Sequence, residues 1–467
     1  MYSSPDPYRY QLEKVTITSD RAGQFYNVTS MVAEVEFFES LNNIHLYGYI
    51  TIVDNGNIIE NVDFQGTEQV RIQMTIPDAS GSTTFDRSFY CVKVVRSVRG
   101  NDNVEAITLQ LVDRDTFWNS TIEVSKVFRG KITHICETVV RDSFKGERKL
   151  MFGSTDIQLP VKYIAPGLTP YQILQFLSRK CTGPTGSPFF VFGSLEDRDI
   201  RFFDLKEMLE LPNMNEQPYI YVQSQPIAEN QDAQAKSYHI SAMDVRNNDD
   251  MMAYLRNGDV GAMYNFYNTT GGYSDSYKFD IAEAFENLWN RSTQKTLAPV
   301  IDVVSTIGGE YITEKIATSS SHIATSGTFN DYSNIYEDLS ENYHRGKSIG
   351  KALRNYIKKS SITITTPGRN FFPVAANHTV GNKIQIMVGS NSDIKAGMSG
   401  VDLIDQKKSG AYLILETKHN FRDNRYTTHH KLGKLGNQSG NTRFNNRIGY
   451  GAGKIDPALA KAAGITY

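Results

Sequence analysis

Over the first 115 or so residues, apolar and polar positions alternate with the period of two that marks half-buried strands. In "HLYGYITIVDNGN", Leu46, Gly48, Ile50 and Ile52 share one face and Tyr47, Tyr49, Thr51 and Val53 the other, and Asp54-Asn55-Gly56 then supplies a turn. "GTEQVRIQMTI" directs Val70, Ile72 and Met74 inward, and "FYCVKVVRS" sets Tyr90, Val92 and Val94 on one face. After the turn "VRGNDN", "AITLQLVDRD" buries Ile107, Leu109 and Leu111. The expected product is an antiparallel sheet, closed or nearly closed as a barrel.

The period changes near Thr116. "FRGKITHICETVVRDSF" carries Ile132, Ile135, Cys136, Val139 and Val140 on one helical stripe, with His134 off it. A second helix begins at "LTPYQILQFLSRKC", where Thr169 is the cap and Pro170 occupies the first turn. "GPTGSP" breaks it, and a hairpin and a short helix follow in "FFVFGSLEDRDIRFFDLKEMLE". Strand character returns from about Tyr219 and is interrupted over 277–360 by a helix around "FDIAEAFENLWNRS", a Ser/Thr-rich surface loop and a helix around "RGKSIGKALRNYIKK". The last segment is Gly/Asn-rich and cannot build a core alone.

A weak internal repeat organises these pieces. "VGNKIQIMVGS" resembles "GTEQVRIQMTI", and each is followed, after a loop, by a two-stranded hairpin: "AYLILETKHNFRDNRYTTHHKLGK" in the later region, "FYCVKVVRSVRGNDNVEAITLQLV" in the earlier. The fold class expected is mainly β with an α+β insert: two similar β-barrel domains, an inserted helix-hairpin module and an extended C-terminal tail. The boundaries are 1–115 for the first barrel, 116–215 for the insert, 216–435 for the second barrel with its interruption at about 277–360, and 436–467 for the tail.

Charge narrows the function. With 49 Lys and Arg against 51 Asp and Glu, no global field steers the chain to nucleic acid or to an acidic membrane. No apolar run approaches the length of a membrane span, and the first residues do not read as a secretory signal. The three cysteines, Cys91, Cys136 and Cys181, are distant in sequence and odd in number, which argues for a reducing compartment. The 26 tyrosines and 24 phenylalanines fit contact surfaces and a β-rich fold equally well.

Demanding catalytic spacings are absent: no His-Glu-x-x-His, Cys-x-x-Cys, Gly-x-Ser-x-Gly, phosphate loop or calcium loop. His419, His429 and His430 cluster in "GAYLILETKHNFRDNRYTTHHKLGK", but on a strand His429 and His430 point to opposite faces. A solvated edge with polar cross-strand pairs is the expected reading, with no metal, no cofactor and no catalytic residue. Asp113 and Asp115, and Glu196, Asp197 and Asp199, read as turn chemistry. Lys347, Lys351, Arg354 and Lys358 form a basic stripe opposite Ile349, Leu353 and Ile357, open to three readings: a solvated face, a contact with an acidic partner, or a contact with passing nucleic acid. Those four cations, with Phe444, Tyr450 and Tyr467 of the tail, are the candidate partner-docking residues.

Barrel, helical insert, second barrel and tail together resemble the baseplate central-hub proteins of contractile-tailed phages, a family extending to the N-terminal half of type VI secretion spike proteins. The residues that carry the resemblance are the closing hairpin "GAYLILETKHNFRDNRYTTHHKLGK", its partner "YCVKVVRS…ITLQLVD" and the insert "TPYQILQFLSRKC…FFVFGSLEDRDIRFFDLKEML". The resemblance implies tail-tube-like barrels and a homotrimer whose six similar units adapt a sixfold tail tube to a threefold central spike around a channel for DNA. It implies tube, spike and other baseplate proteins as partners, DNA only in passage, assembly in the host cytoplasm and a final place in the virion tail. The alternatives from other classes are a tail-associated cell-wall-degrading enzyme using two carboxylates, and a glycan-binding β protein using aromatics such as those of "YNFYNTTGGYSDSY".

Overall fold

The computed structural model describes residues 6–19, 23–54, 61–62, 64–78, 81–101, 104–145, 147–154, 160–183, 186–215, 217–222, 236–247, 251–259, 261–268, 273–280, 306–307, 310–311, 321–324, 349–355, 357–358, 360–372, 379–390, 404–405 and 408–434. Seven strands come first: β1 (Gln11–Ser19), β2 (Gln24–Asn27), β3 (Val32–Ser40), β4 (Asn43–Asp54), β5 (Glu68–Asp78), β6 (Gly81–Asn101) and β7 (Val104–Asp113). The insert region holds α1 (Arg114–Asn119), β8 (Val124–Lys131), α2 (Ile132–Phe144), β9 (Leu150–Phe152), β10 (Pro160–Leu168), α3 (Pro170–Lys180), β11 (Phe189–Gly193), β12 (Ile200–Asp204) and α4 (Leu205–Glu210). Then follow β13 (Tyr219–Tyr221), β14 (Ala242–Asn247), α5 (Met251–Asn257), β15 (Gly261–Asn268), β16 (Tyr273–Asp280), β17 (Thr306–Ile307), β18 (Glu310–Tyr311), β19 (Ser321–Ala324), β20 (Ser360–Pro367), β21 (Lys383–Val388), β22 (Gly410–Arg422) and β23 (Arg425–Lys434). A short helical stretch, 349–355, precedes β20. The expected helix after Asp280 and most of the Ser/Thr-rich loop lie outside the described residues.

Thirteen strands form one sheet, ordered β14-β20-β23-β22-β3-β4-β7-β6-β5-β1-β2, with β21 on β22 and β13 on β21. The order from β3 to β5 is β3-β4-β7-β6-β5, and from β14 to β21 it is β14-β20-β23-β22-β21, with every neighbouring pair antiparallel. The outermost strands differ, since β1 is antiparallel to β5 and β13 is parallel to β21. The halves meet at β22. Its residues Gly410–Leu413 pair with β21, a bulge falls between Ile414 and Glu416, and Glu416–Arg422 pair with β3. Among the described residues the sheet ends at β2 and β14, so two separately closed barrels are not what forms. Among the described residues the backbone of the first half comes back on itself through the isolated bridge Arg9–Arg425 and the hydrogen bond from Tyr426 N to Tyr8 O (2.6 Å). The reason is the length of β22, which serves two neighbours in succession and fuses the halves.

Among the described residues three apolar cores form. One, under β1–β7, holds Val15, Phe37, Ile50, Val70, Ile72, Met74, Ile107, Leu109 and Leu111 together with Phe421 and Tyr426 from the hairpin tip. The second gathers Leu353, Ile357, Ile364, Ile384, Ile386, Leu413 and Leu432. The third lies in the insert, where α2 and α3 pack Ile132, Ile135, Cys136, Val139, Ile173, Leu174 and Leu177 on β11 and β12. The inward residues of β4, β5 and β7 follow their sequence periodicity. β6 does not: Phe85, Phe89 and Cys91 are buried, while Val94 is 38% exposed. A bulge between Cys91 and Lys93 resets the alternation there.

The insert is seated between the other cores. All five residues of β11 are buried; Phe189 and Val191 face the insert core, Phe190 and Phe192 the second. A strand with both faces covered reads as a continuous apolar run, as "FFVF" does. Burying such rings contributes about 1.5–3 kcal/mol each. Thr169 closes a capping box with Gln172 at the start of α3, with Pro170 in the first turn.

Candidate functional site: the shared hairpin and its buried polar belt

The β22–β23 hairpin turns through Asp423 and Asn424, both in the left-handed region (φ 50° and 58°). Such a two-residue turn matches the twist of long antiparallel strands, and Asp and Asn tolerate it best after Gly. The hairpin's inner face is apolar at both ends, with Phe421 and Tyr426 in the first core and Leu413 and Leu432 in the second. Between them lie Thr417, His419, Thr428 and His430, all buried. A polar belt therefore runs between the two cores.

His419 is 1% exposed, with Nε2 3.0 Å from Glu39 Oε2 and Nδ1 2.7 Å from the Tyr426 hydroxyl. Glu39 Oε1 accepts from Leu195 N, tying β3 to the insert. Burial pushes the Glu39 carboxyl up, but the hydrogen bond and charge of His419, the Leu195 amide and the charge of Arg201 outweigh it and hold it below the ordinary range. His419 thus bridges the Glu39 carboxylate and the Tyr426 hydroxyl through its two ring nitrogens. Burial first, then the charge of Glu39, keeps Tyr426 protonated by raising it well above an ordinary phenol. His430 Nδ1 lies 3.0 Å from Thr417 Oγ1, and its Nε2 has no partner among the described residues. Burial, with His419 and His429 nearby, holds His430 well below its ordinary value. His429 points the other way, toward Thr365 Oγ1 at 2.9 Å.

The sequence expectation of a solvated edge is therefore overturned for His419 and His430. The opposite-face argument for His429 and His430 stands, and among the described residues no three His, Cys, Asp or Glu side chains group as metal ligands. The signal for burial was present. Glu39 and His419 fall in the inward phase of their strands, with Val35 and Phe37 on β3 and Phe421 on β22.

A second network fixes the insert. Arg87 pairs with Asp113 (2.9 Å), and Arg148 lies 3.4 Å from both Asp113 and Asp115 while donating to the Tyr171 hydroxyl. Arg198 reaches Asp115 at 2.7 Å, and Arg114 reaches Glu147 at 2.9 Å. Asp113 and Asp115 are buried ion partners, so turn chemistry does not account for them. Asp197 keeps its turn role by accepting from Asp199 N (3.0 Å) and also binds Arg201. Glu196 has both carboxylate oxygens buried without a partner among the described residues, and burial plus the charge of Glu39, only partly offset by Arg201, pushes it up to about 9. Above this network opens a cleft of about 460 Å³ lined by Gln69, Arg87, Tyr90, Arg114, Trp118 and Arg198.

Of the basic stripe, Lys351 and Lys358 are exposed, whereas Arg354 is turned inward. It lies over the Phe190 ring (4.6 Å) and donates to the carbonyls of Ser178 and Phe189, at 3.0 Å for Ser178. Burial and the neighbouring Arg179 pull it down to about 10. Leu353 and Ile357 are buried opposite. Lys347, Phe444, Tyr450 and Tyr467 lie outside the described residues. No helix among the described residues is long and apolar enough to cross a membrane.

His419 and Tyr426 are both buried, and their hydrogen bonds fix β22, β23 and β3 against one another. No family model and no curated protein matches the chain. Solved structures do. A tail protein from Neisseria meningitidis MC58 matches at 9% identity and TM-score 0.49, over 91% of this chain and 97% of that one. The 43 kDa tail protein of prophage MuSo2 from Shewanella oneidensis matches at 11% and 0.45, over 91% and 98%. An E. coli type VI secretion component, described as structurally similar to the T4 bacteriophage tail proteins gp27 and gp5, matches at 9% and 0.40, over 90% and 76%. In fold, the chain is similar to phage and prophage tail proteins and to a type VI secretion component.

Proposed function

We propose that this chain is a structural hub subunit of a contractile phage-tail baseplate. It contains two copies of one tube-like unit, residues 1–115 and 216–435, separated by the insert at 116–215. Three chains form a ring of six similar units that joins a sixfold tail tube to a threefold central spike and leaves a channel for DNA. The observation that carries this reading is the repeated order, β3-β4-β7-β6-β5 in one half and β14-β20-β23-β22-β21 in the other, joined edge to edge through β22 and β3. Two like units joined side by side within a chain are what a threefold ring needs to present six nearly equal surfaces. The candidate sites support a non-enzymatic role: Glu39, His419 and Tyr426 are spent on one another inside the protein.

The exposed Lys351 and Lys358, with Lys347 and the tail residues Phe444, Tyr450 and Tyr467, belong to the same proposal as docking positions for tube, spike or other baseplate proteins. The test is the mass of the full-length protein in solution across a concentration series, with and without its spike partner, followed by imaging of any ring. Three chains per particle with a sixfold-like face is the expected result. A particle that stays a single chain throughout overturns it.

A further inference from the structure

β6 is 21 residues long, yet β5 covers it only from Gly81 to Cys91. Beyond the bulge at Val92, residues 93–100 are exposed, and among the described residues only β7 pairs with them. Val94, Val95 and Val98 are 38%, 47% and 41% exposed on this stretch. This stretch is therefore an open edge, with β7, β4 and β3 paired in succession behind it. At one end of the sheet, among the described residues, β14 pairs with β20 alone, and Asp244 on it is exposed.

The chain carries its own template for what covers such an edge. The rung Phe37–Gly48–Leu111–Cys91 in the first half corresponds to Val245–Ile362–Leu432–Ile414 in the second. Likewise Glu36–Tyr49–Gln110–Lys93 corresponds to Asp244–Thr363–Lys431–Glu416, and Glu34–Thr51–Thr108–Arg96 to Ala242–Thr365–His429–Lys418. β6 is thus the counterpart of β22, and β14 of β3. Both long strands leave a neighbour near a bulge, β6 leaving β5 at Val92 and β22 leaving β21 at Leu415. After its bulge β22 pairs with β3, where Lys418 forms an ion pair with Glu36. The counterparts of that pair are Arg96 and Asp244.

We infer that the far half of β6 pairs antiparallel with β14 of a second copy of this chain, repeating between chains the β22–β3 joint made within each. This rests on the hub reading above and names its contact. The internal register, transferred, sets Arg96 opposite Arg246, Ser97 opposite Val245 and Val98 opposite Asp244, with Asp244 diagonal to Arg96. The contact is head-to-tail, so three copies related by a threefold axis close a ring through it. This register holds one like-charge pair, Arg96 opposite Arg246, whereas a symmetric β6–β6 pairing centred on Arg96 would hold three, Arg96 on its own copy and Lys93 on Arg99 twice.

The test is a pair of cysteine variants of the full-length chain, Val98→Cys with Asp244→Cys and Ser97→Cys with Val245→Cys, oxidised mildly and sized without reductant. Adjacent positions alternate in ladder geometry, so one pair meets disulfide distance whichever way the alternation falls. The native cysteines are buried. Covalent dimers and closed trimers from at least one pair, and none from single variants or from Val98→Cys with Ala242→Cys, is the expected result. A protein that is trimeric by mass but gives no cross-link from either pair overturns this contact and leaves the trimer standing. A protein that remains a single chain overturns both.

Discussion

Glu196 and Glu39 sit close enough to feel each other's charge, and their surroundings drive them in opposite directions. Glu196 is raised to about 9, so the folded state holds a proton that the unfolded chain releases above its ordinary range. Its contribution is complete below that range and is lost progressively as pH rises toward 9. Glu196→Gln should therefore stabilise the protein by about 1–3 kcal/mol at pH 8 and change little near pH 4, read from thermal unfolding across pH. Glu39 is the reverse case. Its lowered carboxyl stabilises the fold above the ordinary range and loses that contribution as pH falls through the folded value. Glu39→Ala strands His419 and the Leu195 amide, with an expected loss of about 3 kcal/mol in urea unfolding at neutral pH.

Single elements are held by close approach as much as by apolar area. A Cβ on Gly48, in the middle of β4, would lie 2.4 Å from the Glu36 carbonyl oxygen and 2.8 Å from the Phe37 ring. Neither can retreat, because β3 is paired on both sides. Gly48→Ala is expected to cost about 2 kcal/mol or more, measured as a lowered unfolding midpoint with an unchanged slope. Arg354 plays the matching part between the 349–355 helix and the insert. Arg354→Met removes its bonds to the Ser178 and Phe189 carbonyls. Faster amide exchange at the end of α3 and in β11, with β22 and β23 still protected, is the expected outcome.

At the scale of the molecule, the continuous sheet makes the two halves a single mechanical body. The hairpin tip fills the first core with Phe421 and Tyr426, while the base of the same hairpin builds the second. Substitutions in the belt should then weaken both halves together. For Thr417→Val the expectation is one cooperative transition with a lower midpoint, followed by tyrosine fluorescence and by far-ultraviolet dichroism; two separated transitions would show that the halves unfold independently.

The sequence by itself determined the strands and helices whose pattern is local: the alternation of β4, β5 and β7, the stripe of α2, the cap of α3, and the likeness of β21 to β5. Each is set by neighbours within a few residues, which is the range over which periodicity and capping act. Tertiary structure decided the rest. Whether His419 faced water or Glu39 depended on a strand 380 positions away. Whether Arg354 faced solvent or the insert depended on β11, and whether barrels closed depended on which strand the far half of β22 would join. These are choices between partners distant in the chain, and packing of the assembled cores makes them, because a buried charge is tolerated only where a complementary group already waits.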